Sequence, residues 1–112
     1  TKQPLMNNER SYGLPAQVVQ AIQLVLSQYP QVRSAVLYGS RAKGNFREGS
    51  DIDLTLKTDP AADTALLLQI ENQLDELNTP YQFDLSLFHH ITNPGLIEHI
   101  RRVGVNFYPV AN

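Results

Sequence analysis

The chain has 112 residues, 42% of them hydrophobic and 18% charged, with a formal net charge of −2. Those values describe one soluble globular domain, without room for a separate substrate-binding domain and without the basic surface that strong nucleic-acid binding needs. The lack of cysteine excludes a disulfide framework, a thiol nucleophile and a thiolate metal site. The longest wholly apolar run, about residues 65–68, is far short of a membrane span. With no secretion signal in view, the expected location is cytoplasmic.

In chain order, residues 1–14 are polar and aperiodic and read as a flexible arm. Residues 1–5, ahead of the single methionine Met6, are set aside as a cloning remnant, and the folded domain is taken as 15–112. Pro15 suits the first position of a helix, along which Val18, Ile22, Val25 and Tyr29 recur at helical spacing, with Val19 and Leu26 widening the stripe. Pro30 ends it. Arg33 to Tyr38 reads as a short buried strand closed by Gly39, and Ser40 as the cap of a helical turn that stops near Gly44.

From Asp51 the pattern has period two, with Ile52, Leu54 and Leu56 on one side and Asp51, Asp53, Thr55 and Lys57 on the other. Pro60 opens a second long helix with a stripe of Leu67, Ile70, Leu74 and Leu77, broken at Thr79-Pro80. Gln82 to Phe88 is again strand-like, with Phe83, Leu85 and Leu87 opposite Asp84 and Ser86. Asn93-Pro94 starts a last helix that Gly104 ends, and Val105 to Val110 is extended. The order is that of an α/β domain: a small mixed β-sheet with helices packed on it.

The residues between the first two strands, Gly39 to Asp53, read GSRAKGNFREGSDID. If Gly39-Ser40 and Asp51 belong to one site, those strands run antiparallel. The helical crossover to the third strand then makes it parallel to the second, with a right-handed connection. Asp51, Asp53 and Asp84 thereby meet at one end of the sheet. Crowded carboxylates repel unless a cation neutralises them, and hard oxygen donors suit Mg²⁺, which completes its shell with waters and phosphate oxygens. The backbone amides after Gly39 offer a cradle for phosphate, with the Ser40 hydroxyl as a further donor and Arg41 and Lys43 as neutralising charges.

Alone, Asp-x-Asp and Gly-Ser are ordinary turn and strand-end pairs. Four such residues at this spacing arise by chance in roughly one chain in a thousand of this length. Gly39 to Gly44 also matches the start of a P-loop, but Asn45-Phe46 stands where Lys and Ser/Thr are needed, so that reading fails. Ser50 is expected to hold the turn into Asp51 by a side-chain to backbone bond. Tyr38 is assigned to the core, with its hydroxyl within reach of the site. His89, His90 and His99 are assigned to the surface or to contact with an acceptor, not to zinc.

Gly39, Ser40, Asp51, Asp53 and Asp84, with the run GSRAKG…GSDIDL, the strand FDLSL and the ending Ile100-Arg101-Arg102-Val103-Gly104…Tyr108, resemble the minimal nucleotidyltransferases of the DNA polymerase β superfamily. The resemblance spans about residues 15–110 and implies the nucleotidyltransferase fold. It implies that Asp51 and Asp53 hold two Mg²⁺ ions, and that Asp84 holds the ion nearer the nucleophile. Gly39 and Ser40 would grip the β/γ-phosphates of ATP, and an acceptor hydroxyl would attack the α-phosphorus. Stand-alone members of that family pair with an all-helical HEPN protein, often a toxic ribonuclease whose tyrosine they adenylylate as antitoxins, so a hetero-oligomer is expected. Two alternatives stay open: an antitoxin that acts by occlusion alone, and a nucleotidyltransferase for a small molecule or RNA end whose acceptor site comes from another subunit.

Overall fold

The structure, a computed structural model, describes residues 10–110; most of the expected arm, residues 1–9, lies outside the described residues. Two short strands, β1 (Arg10–Ser11) and β2 (Leu14–Pro15), form an antiparallel hairpin. Helix α1 (Ala16–Ser27), strand β3 (Val32–Tyr38) and the short helix α2 (Gly39–Lys43) follow. Then come β4 (Ile52–Thr58), α3 (Thr64–Asp75), β5 (Phe83–Leu87), α4 (Pro94–Val103) and β6 (Val105–Tyr108). The main sheet has the order β5-β4-β3-β6. Strand β3 is antiparallel to both β4 and β6, and β4 is parallel to β5. Both strand directions inferred from the sequence are therefore present.

Strand alternation gives this sheet two unlike faces. Ala35 and Leu37 of β3, Leu54 and Leu56 of β4, Leu85 and Leu87 of β5 and Phe107 of β6 are buried together. They pack against Ile22, Val25 and Leu26 of α1 and Leu66, Ile70 and Leu74 of α3. Each such leucine or isoleucine contributes about 1.5–3 kcal/mol by leaving water. The other face carries Ser34, Val36 and Tyr38, then Asp53, Thr55 and Lys57, then Asp84 and Ser86. There Ser86 Oγ donates to Thr55 Oγ1 at 2.9 Å, which satisfies a hydroxyl pair at a wholly buried threonine. Helix α4 lies against β3 and α2 beside this face.

Three expectations are corrected. Residues 10–14 are not a loose arm. Tyr12 (φ 59°) and Gly13 (φ 74°) make a two-residue turn with both residues left-handed, which suits the twist of a tight hairpin, and Leu14 is wholly buried in the core. Pro15 is the residue before α1, not its first. Helix α3 begins at Thr64 and not near Pro60, because the Asp63 side chain accepts from the Ala65 amide at 3.0 Å and supplies the cap. Its stripe is centred on Leu66, Ile70 and Leu74, with Leu67 and Leu77 at the margin of the core. Among the described residues no helix is long and apolar enough to cross a membrane.

Candidate active site

At the end of β3 the chain turns into α2 through Gly39, whose φ of +75° lies in the left-handed region. A second constraint also requires glycine: a Cβ there would collide with the carboxylate of Asp53. The turn and the acid are thus in close contact because no side chain intervenes. In register, Tyr38 faces Asp53 and Asp53 faces Asp84, so Tyr38, Asp53 and Asp84 form one row across three strands. Asp51 stands just before β4. Neighbouring strands lie about 4.8 Å apart, so the Asp53 and Asp84 backbones are close neighbours.

The electrostatics follow from that crowding. Burial, then the negative charges of Asp84 and Asp51, push the Asp53 carboxyl up from 3.8 to about 6, against an opposing pull from Arg41. Burial and the charge of Asp84 likewise raise the Tyr38 phenol, with a contact to Ser86 working the other way. Among the described residues no three His, Asp or Glu side chains are already arranged to enclose one metal ion. The edge is an open row of carboxylate oxygens, and such a donor set suits Mg²⁺, which takes one or two carboxylates together with waters and phosphates.

Arg41 departs from expectation. It is 2% exposed, and its guanidinium donates to the carbonyls of Ser50 (3.1 Å), Tyr12 (2.9 Å) and Glu48 (3.1 Å). It lies over the rings of Phe46 and Tyr81 as well. Its donors are committed to joining the hairpin and the loop before β4 to α2, so it is not a fork turned toward phosphate; its charge reaches Asp53 only through the field. Lys43 is exposed in the last turn of α2, which ends at the left-handed Gly44. Ser40 lies inside α2 and not at its cap, which is Tyr38. Ser50 does hold the turn before Asp51, its Oγ accepting from the Arg47 amide at 2.8 Å.

His99, expected at the surface or against an acceptor, is half-buried and meets the Gly39 turn instead. From α4, 60 residues away, its Nε2 accepts a hydrogen bond from the Gly39 amide at 3.1 Å. Its ring stands edge-on to Tyr38, with centroids 6.1 Å apart and an 81° interplanar angle. No local pattern could have announced this pairing, because the crossing of α4 over the end of β3 is a tertiary fact. The His89 and His90 rings meet edge to face with centroids 4.5 Å apart, and His89 Nε2 lies 3.2 Å from the Ala62 carbonyl.

Comparison with known families matches residues 20–109 to the polymerase beta nucleotidyltransferase domain. The chain belongs to this family. A search of curated proteins returned no match. Among solved structures the nucleotidyltransferase resembles a chain of a toxin–antitoxin complex crystallised with AMP-PNP, at 18% identity and a TM-score of 0.66, covering 82% of this chain and 73% of that one. It also resembles a chain of the complex between the tri-AMPylated Shewanella oneidensis HEPN toxin and its MNT antitoxin, at 16% identity and a TM-score of 0.62, covering 84% of this chain and 71% of that one. A chain of a mutant MntA–HpeT toxin–antitoxin complex matches at 16% identity and a TM-score of 0.66, over 82% and 73% of the two chains. These likenesses establish a shared fold.

The row of Asp53 and Asp84 beside the Gly39 turn sets carboxylate oxygens, which could hold a cation, next to backbone amides, which could meet phosphate. With Gly39 bonded to His99, the amides of Ser40 and Arg41 are the next in the turn without an intrahelical acceptor.

Proposed function

We propose that this nucleotidyltransferase transfers AMP from ATP, with Mg²⁺, to a hydroxyl of a partner protein, and that the acceptor is a tyrosine of a HEPN toxin. The observation that carries the reading is the Tyr38–Asp53–Asp84 row, with Asp51 beside it and Gly39 packed on the Asp53 carboxylate. The raised Asp53 pKa supports it, since a cation would relieve the mutual repulsion. The toxin–antitoxin complexes of similar fold, one with AMP-PNP and one with an AMPylated HEPN toxin, favour this acceptor over a small molecule or an RNA end.

In this reading Asp51, Asp53 and Asp84 are the residues that would hold Mg²⁺. When bound, the metal supplies neutralisation of negative charge on the phosphate oxygens. Gly39 and Ser40 orient the β/γ-phosphates, and Lys43 adds positive charge from the exposed end of α2. Asp84 takes the proton of the acceptor hydroxyl as its oxygen bonds to the α-phosphorus. The bond from that phosphorus to the bridging oxygen breaks, and pyrophosphate leaves. The protein acts as the antitoxin of a two-protein complex in the cytoplasm.

The test is to incubate the protein with Mg²⁺, ATP and a HEPN protein encoded beside it and to measure intact masses. A partner mass gain in whole AMP units, absent with Asp53→Asn, is the expected result. A stable complex without any gain would overturn transfer to this partner and support neutralisation by occlusion.

A further inference from the structure

We propose that His99 is a positioning residue that fixes the Gly39 turn against Asp53 and thereby sets nucleotide affinity; the inference rests on the nucleotidyl-transfer reading above. The β3 ladder with β4 ends at the Tyr38–Asp53 pair, and the next amide, that of Gly39, finds its acceptor in α4. Gly39 is therefore held from three directions. The ladder holds the residue before it. The Asp53 carboxylate occupies the space where a Cβ would be. The His99 ring, wedged edge-on against Tyr38, takes the amide proton at 3.1 Å.

A glycine has no side chain to anchor its own peptide plane, and its left-handed conformation is one of several open to it. An external acceptor on its amide selects one plane. That plane determines where Ser40 and the following amides stand relative to Asp53. The chemistry of the bond also sets the state of the ring. Because Nε2 accepts, it carries no proton, and the neutral ring holds its proton on Nδ1. His99 thus acts on the nucleotide through Gly39, as an outer-shell ligand acts through the group that it orients.

The test is calorimetric binding of α,β-methylene-ATP with Mg²⁺ to the full chain, beside melting temperatures for every variant. Replacing the acceptor while keeping bulk, in His99→Leu, should weaken binding about ten- to a hundredfold. His99→Gln, whose Oε1 lies as many bonds from the backbone as Nε2, should bind like the wild type. His99→Asn, one bond shorter, should behave like the leucine variant. Equal or tighter binding by His99→Leu overturns the inference and leaves nucleotidyl transfer standing. No binding by the wild type overturns the nucleotide reading, and this role with it. Should His99→Leu fail to fold, the Gln and Asn variants decide by the same comparison. The wild type gives an independent readout: a through-bond ¹⁵N–¹⁵N coupling between the Gly39 amide and His99 Nε2 supports the geometry, and its absence overturns it.

Discussion

The two faces of the main sheet are made by the same strands and hold opposite contents. On one, Ala35, Leu37, Leu54, Leu56, Leu85 and Leu87 are closed over by α1 and α3. On the other, Tyr38, Asp53 and Asp84 stand in a row, and Asp53 keeps its charge only against the repulsion of its neighbours. The difference teaches how a domain this small can hold an unfavourable cluster. The strands that carry the acids are fixed by burial on the reverse face, so the carboxylates cannot relax by moving apart. Stability and chemistry occupy alternate residues of one chain.

The largest effect is expected from removing the central acid. Asp53→Asn should leave the fold intact and lower AMP transfer by about 10²–10³-fold or more, read by intact mass or pyrophosphate release. A folded variant with wild-type transfer would break the assignment of the polar face to chemistry. On the apolar face, Leu14→Ala should cost about 2–5 kcal/mol in urea unfolding, although the residue lies in a segment that reads as a polar arm. A loss under about 1 kcal/mol would mean that the hairpin is not part of the core.

Arg41 is a charged residue of the site segment that serves the scaffold. Arg41→Met should destabilise by about 1–3 kcal/mol, since three carbonyls lose their donor. The smallest effect concerns pH. The folded-state pKa of Asp53, about 6, lies above the ordinary 3.8, so the folded chain without a cation holds this proton more tightly than the unfolded chain. Ionisation therefore costs stability, increasingly as pH rises from about 3.8 to 6 and fully above that. Metal-free Asp53→Asn should gain stability over the wild type across the same window, by about 1 kcal/mol once water screening of this half-exposed group is allowed for. Equal stabilities at pH 4 and a more stable variant at pH 8 are the expected pattern in denaturant titrations.

What could be read from the residues follows the range of the interactions involved. Period two in Ile52 to Leu56 and Phe83 to Leu87 made both strands legible, and the need to bring Gly39, Asp51 and Asp84 together made their directions legible. The β1–β2 hairpin was hidden because its strands are two residues long and its turn, Tyr12-Gly13, lacks the usual Asn-Gly signal. The inward turn of Arg41 was hidden because arginine is mostly exposed, and its acceptors are backbone carbonyls that any sequence possesses. His99 was hidden because the path of α4 across the end of β3 depends on packing among distant elements. Local pattern thus disclosed the acids and the glycine, while the residues that hold them in place became visible only in three dimensions.

Asp53 sits in a crowded carboxylate row whose repulsion a divalent cation would relieve. The most direct measurement is a titration of the Asp53 carboxyl carbon by ¹³C NMR, with and without Mg²⁺. The expected result is an apparent pKa of about 6 without the metal and a marked fall when Mg²⁺ is added. A pKa near 3.8 that Mg²⁺ does not move would contradict it.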